Sequence, residues 1–363
     1  MSYLDTPPIA ATPNIQIAAV TTAAQVQAFC TLAPALNLHH MVQGKPDLHL
    51  LATAEGRVED KPEDAAMARC SLWWRSVPYW PGERVGCIGH YAATNRSAAA
   101  ALLAAAIARL QEAGCTLAIG PLDGSTFRAY RLVTQRALDG GETRPPFLLE
   151  PTNPDAWPDD FRAAGFHAWS EYVSDLAPLT GPDPQLASRT ATLAAQGIHL
   201  RTLDPAIFTS APTGMSAFDR ELARIYPLVM TAFAKSPLFT AISPAEFYAQ
   251  YAPVRALLSQ ELVVLAEREG ELVGLLFALP DFAQAQRGEK INTVILKTLA
   301  VLPSLAGIGL GSLLTAQVHT QAYHLGYRWA IHALMHVNNR SRRISAHTAQ
   351  PFRHYTLFAR PLE

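Results

Sequence analysis

Two periods of apolar spacing, near two and near 3.6 residues, succeed one another along this chain and predict alternating strands and helices. In the first half, 15–20, 48–53, 67–74, 84–90 and 115–120 read as strands, and 22–32 and 95–113 as helices. Pro34 is expected to stop the first helix, and Gly114 is placed to cap the second. Between Asp139 and Asp160 proline and charge concentrate, which predicts irregular surface chain, and a strand follows at 169–176. Residues 177–197, rich in Pro, Ser, Thr and Ala, read as a linker, so domains are expected over 1–185 and 198–363.

Beyond the linker the same grammar returns. Residues 216–233 have helical spacing, and Ser243, Pro244 and Glu246 form a helix start with proline in its first turn. Strands at 261–267 and 272–279 flank a Glu269-Gly270 turn, a hairpin signal. A strand at 291–301 leads through a glycine-rich loop into a helix expected from Ser312 to Leu325, and a last strand covers 327–337. In that strand strict alternation would put His332 and His336 on one face. Residues 339–346 read as a further helix. Strand, helix, capping glycine and strand thus recur, with Arg84–Ser125 paralleling Ile291–Ser341.

Composition narrows the picture without redirecting it. A chain of 363 residues with 49% hydrophobic content suits two domains of α/β type with ordinary cores. Charged residues make up only 16% and the net charge is -1, so there is no basic field for nucleic acid, and a small molecule is the expected partner. Oligomerisation is left open. Cys30, Cys70, Cys87 and Cys115 show no metal-ligand spacing and are expected to be small buried hydrophobes, with no metal site. Neither a secretory leader nor an apolar run of membrane-spanning length is evident, and a cytoplasmic location is expected.

The chemistry concentrates in 297–314. Pro303 ends the strand, since it has no amide hydrogen to pair. Gly307, Gly309 and Gly311 then alternate before a helix. Without Cβ atoms they let a ligand approach the backbone, and a helix start behind them is an anion site, most often for phosphate. A dinucleotide fold would want GxGxxG and a carboxylate about 20 residues on. A P-loop would want a lysine. Neither is present. Val301-Leu302-Pro303 followed by Ala306, Gly307, Ile308, Gly309, Leu310 and Gly311 resembles motif A of the GNAT superfamily of acyl-CoA N-acyltransferases, with Ala306 where arginine or glutamine is usual.

That resemblance implies two tandem GNAT-like domains, each a mixed, mostly antiparallel sheet flanked by helices. The first would be degenerate, since Ala92 to Ser97 replaces the glycine loop while Gly165-Phe166 is kept. It implies acetyl-CoA or another acyl-CoA as cofactor and direct transfer to an amine of a small molecule. The alternative is a non-catalytic acyl-CoA-binding or interaction module. The strand end Leu299, Ala300 and Val301 would meet the pantetheine arm, and Gly307, Ile308, Gly309, Leu310, Gly311 and Ser312 the pyrophosphate. Asn338 would touch the cofactor arm. Tyr355 is the candidate acid by position. For the base, His336 and His332 titrate near 6.5 when unperturbed, and Glu267 is the competing carboxylate. Arg340, Arg342 and Arg343 are candidates for the 3'-phosphate.

Overall fold

The structure is a computed structural model that describes residues 14–36, 44–54, 66–137, 143–208, 215–339, 342 and 349–363. The chain divides into two compact units, one of residues 1–131, 153–167 and 357–363, the other of 132–152 and 168–356. The expected boundary at 185–198 therefore falls inside the second unit, and helix 186–194 occupies what reads as linker. The expected helix at 339–346 lies almost wholly outside the described residues.

In the first unit, β1 (Ile15–Ala19), β2 (Leu48–Ala54), β3 (Ala66–Trp73) and β4 (Val85–Ala93) form an antiparallel run, and β5 (Leu117–Gly120) lies parallel to β4. Residues 358–361 close the sheet antiparallel on β5. Helix α1 (Ala23–Ala35) extends through Pro34. Helix α2 (Arg96–Glu112) buries Leu102, Leu103, Ala106 and Leu110, and Gly114 follows it at φ +79° as its sequence predicts. A short α3 (Trp157–Ala163) places Trp157 and Phe161 in the core.

The second unit repeats this order. It comprises β6 (Leu132–Gln135), β7 (His167–Pro178), α4 (Leu186–Ala194), β8 (Ile198–Thr202), α5 (Ala217–Phe233), α6 (Pro244–Tyr251), β9 (Val263–Arg268), β10 (Glu271–Pro280), α7 (Phe282–Gln286), β11 (Thr293–Val301), α8 (Leu310–His324), β12 (Trp329–His336) and the first part of β13 (Gln350–Pro361), whose residues from Leu357 on belong to the first unit. Strands run β7-β12-β11-β10-β9-β8, antiparallel except for β11 on β12. Both units thus have mixed, mostly antiparallel sheets whose single parallel step is bridged by a helix. Ser216 and Ser243 cap α5 and α6, the second as its position predicts. Leu310, Leu313, Leu314 and Val318 of α8 pack on Val264, Val273, Val294 and Leu296 of the sheet.

Two expectations are corrected. Between His332 and Met335 the pairing of β12 with β7 slips by one residue, a bulge with Leu334 at φ +59°. His332 opposes Asp175 and His336 opposes Tyr172. Because Asp175 and Tyr172 are three apart on one strand, the two histidines lie on opposite faces of the sheet, not on one. Cys70, Cys87 and Cys115 are buried, but Cys30 is exposed. No helix among the described residues is long and apolar enough to cross a membrane.

Candidate functional site

The glycine loop and the parallel strand pair of the second unit build one site. Residues 306–309 are exposed, and Gly307 and Gly309 take φ of +93° and +88°. A Cβ at either would meet nothing within 4 Å, so open space lies above the loop. Gly309 is the N-cap of α8, which has no side-chain cap. Its first amides therefore face outward without a partner from the protein, the arrangement that binds a phosphate.

Below the loop, β11 and β12 are paired only from Thr293↔Trp329 to Leu296↔His332. Past that last pair they diverge. Two bulges assist: Lys297 is the extra residue where β11 slips against β10, and Leu334 sits in the slip of β12. The gap is a cleft of about 130 Å³ lined by Lys297, Thr298, Leu299, Thr315, His332, Ala333, Leu334, Met335 and Asn339, with Phe233 and Leu276 beside it. A strand edge exposed inside such a gap offers unpaired backbone groups to an extended ligand.

At the inner end of the cleft, Nε2 of His332 lies 2.9 Å from Nε2 of His319 on α8. One proton serves both nitrogens. Burial, together with the neighbouring His319, holds His332 down at about 3, and burial holds His319 at about 4. Both rings are thus uncharged at neutral pH, and His332 faces the cleft as part of its lining.

The other expected residues separate into those at the cleft and those away from it. Leu299 lines it, whereas Val301 packs on the core of the α8 face and Ala300 is buried. Gly311 and Ser312 form the first turn of α8, and Leu310 is buried beneath it while Ile308 is exposed. Asn338 donates its amide to Nδ1 of His336, and it is the next residue, Asn339, that reaches the cleft. His336 packs edge-on against Tyr172 and is not in the lining. Glu267 stands on β9, two strands from the cleft. Although partial burial acts to raise it, the guanidiniums of Arg201 and Arg224, each at 2.8 Å, hold its carboxyl below the usual range.

Tyr355 is fully buried and donates its hydroxyl to Glu150. Burial and that carboxylate push its pKa well above the ordinary value. It reaches the cleft only indirectly, because its hydroxyl lies 3.0 Å from Oγ of Ser174, which accepts the amide of Leu334. Tyr355 therefore props the bulge rather than facing a ligand. Of the three arginines, Arg342 is described and donates to the carbonyl of Val337.

Sequence reasoning missed Lys297, Thr298, Thr315, His319, Leu334 and Asn339. Thr315 and His319, four residues apart on α8, share a helix face with a readable polar signature. The two bulges leave no such signal.

The corresponding region of the first unit is closed. Here β4 and β5 pair from Val85↔Leu117 to Cys87↔Ile119 and then part. The chain after β5 turns back into the gap: Leu122 donates to the carbonyl of Ile88, and Asp123 Oδ1 accepts the amide of His90 at 2.7 Å. A Cβ on Gly89 would meet Asp123 Oδ1 at 2.4 Å, so the gap is filled to contact. Helix α2 is also capped, with the Asn95 side chain accepting the amide of Ala98 at 2.9 Å.

Comparison with known proteins follows this geometry. Residues 224–345 match the acetyltransferase (GNAT) family. No curated protein matches the chain in sequence. Similar solved structures include a GCN5-related N-acetyltransferase from Sphaerobacter thermophilus, 13% identical, covering 96% of both chains with a TM-score of 0.50. Another is a tandem GNAT protein of the clavulanic acid biosynthesis pathway, 11% identical over 96% of this chain and 99% of that one, TM-score 0.51. A third, a probable N-acyltransferase from Enterococcus faecalis, is 9% identical over 96% of this chain and 73% of its own, TM-score 0.54. At such identities these likenesses speak to the fold, and they span both units. The matched span contains the glycine loop, the divergent strands and the histidine pair, and the domain over residues 224–345 is thereby one of the acetyltransferase (GNAT) family.

Proposed function

We propose that the second unit is an acyl-CoA-dependent N-acyltransferase acting on the amine of a small molecule. The observation that carries this reading is the continuity of two features: an uncapped helix start on exposed glycines, and an open cleft between β11 and β12 leading inward from it. The first suits a pyrophosphate, and the second suits the extended arm attached to it. The amides of the loop through Ser312 would hold the anion, and the edge of β11 by Leu299 would align the arm. The thioester would then come to rest near Lys297, Thr298 and His332.

Transfer is direct in this scheme. The neutral amine attacks the thioester carbonyl carbon, the carbon–sulfur bond breaks, and the thiolate leaves. On this reading the amine's proton would pass to His332 in the cleft lining, whose ring is held by its hydrogen bond to His319. Holding two reactants in one cleft supplies much of the acceleration. Ala306, exposed where the family usually carries arginine or glutamine, favours a second reading as a binding module without turnover.

Calorimetric titration with CoA and acetyl-CoA tests the first step, and absence of binding at millimolar cofactor overturns both readings. Gly309→Val adds a side chain where only strain at positive φ, roughly 1–2 kcal/mol, opposes it. It should weaken CoA binding tenfold or more while the protein still melts cooperatively. Thioester consumption across an amine panel then separates an enzyme from a binding module.

A further inference from the structure

A second space adjoins the cleft. It is a cavity of about 40 Å³ beneath α5, walled by Leu203, Ile207, Leu222, Ile225, Leu275 and Phe277 among others, with Val254 and Leu258 on its outer side. Thr298 belongs to both linings. Thr298 pairs with Phe277 across the β10-β11 ladder, and Phe277 with Val263, so these residues share the face that α5 covers.

The polar groups at this cavity are already engaged. Glu221 accepts from Arg201 at 2.8 Å, and the Tyr251 hydroxyl is hydrogen-bonded to Thr298. Nothing remains to anchor an ammonium ion or a sugar hydroxyl, and the rest of the wall is aliphatic or aromatic. Such a space stays dry, and a dry void forfeits the dispersion contacts of its lining until an apolar group fills it. A space of this size admits about three water-sized spheres, roughly the bulk of three or four methylenes.

Resting on the acyl-CoA reading of the cleft, we propose that this cavity takes the tail of the donor's acyl group, so that the preferred donor carries a short-to-medium aliphatic acyl chain of about six carbons rather than acetyl. The carbonyl would lie at Thr298 and the tail would run under α5 toward Val254.

The test is calorimetric binding of an acyl-CoA ladder, with CoA, acetyl, butanoyl, hexanoyl and octanoyl thioesters and no amine present. Affinity is expected to rise up to about fourfold per added methylene as far as hexanoyl and then level. Val254→Trp, at a half-buried position outside the cleft, fills the cavity from its rim. It should flatten the ladder and leave CoA and acetyl-CoA affinity unchanged. A flat ladder in the wild type, with CoA bound normally, overturns the proposal while the acyl-CoA reading stands, and the cavity then belongs to the acceptor. Absence of binding by any member, CoA included, overturns both. Because the wild-type ladder decides the matter, a variant that failed to fold would not rescue the proposal.

Discussion

At the residue scale the informative pair is His319 and His332. Both are held below 6.5 in the folded chain, so as pH falls through 6.5 the unfolded chain takes up protons that the folded chain refuses. The stabilisation is fully present above pH 6.5 and is lost progressively as pH drops toward 4 and 3. Each histidine contributes a slope of about 1.4 kcal/mol per pH unit within its own window. Urea midpoints at pH 4.5, 5.5 and 7.5 should show the loss, and His332→Asn should reduce it; an unchanged pH dependence would assign it to other groups. Under the proposed acyl transfer the same depression would set the pH profile. With His332 uncharged throughout the working range, the rate should follow deprotonation of the amine, with no inflection near 6.5, and His332→Asn should lower kcat by about 10²-fold with little change in CoA affinity. Sequence could nominate His332 as a candidate base, because its residue type and strand were readable. Its partner could not be nominated, since nothing in the spacing of α8 against β12 says which turn meets which strand position.

Elements show where local rules and tertiary context part company. The N-termini of α2 and α8 follow equivalent strands, yet one is closed by Asn95 and the other left open at Gly309. Asn95→Ala should cost about 1 kcal/mol of stability, read as a fall in the thermal midpoint, without creating a CoA site, because the gap behind it is filled. Helix starts, the Glu269-Gly270 hairpin and the glycine loop were legible because each is fixed by one or two side chains. The bulges at Lys297 and Leu334 were not, since an extra residue in a ladder is decided by the partner strand. That omission had a definite effect: strict alternation placed His336 beside His332, and the one-residue slip sends it to the other face, against Tyr172.

On the scale of the whole molecule, the repeated order of strands was legible as a weak internal repeat, and the division of the chain was not. A composition shift at 177–197 reads as a boundary, but compact units are set by which strands pair, and 132–152 joins the second unit across a long separation. One tie between that segment and β13 is the buried pair of Arg353 and Glu150, 2.6 Å apart, with Phe147 donating its amide to the same carboxylate. Burial raises the Glu150 carboxyl and Arg353 opposes that rise. Arg353→Met strands the carboxyl and should cost about 3–5 kcal/mol, whereas the double change with Glu150→Gln should recover a large part of it. Chemical denaturation of the three variants checks this, and equal losses in single and double variants would mean the pair is not coupled.

Asp123, folded into the gap between β4 and β5 of the first unit, has a consequence best put in terms of concentration. Its carboxylate sits on the same chain as the amide it occupies, 33 residues on from His90 and held in place by β5, so it competes for that amide at an effective concentration well above the millimolar range. A diffusing ligand of equal intrinsic affinity would lose that competition at any level a cell maintains. The gap in the first unit thus carries its own occupant, tethered to the chain that lines it.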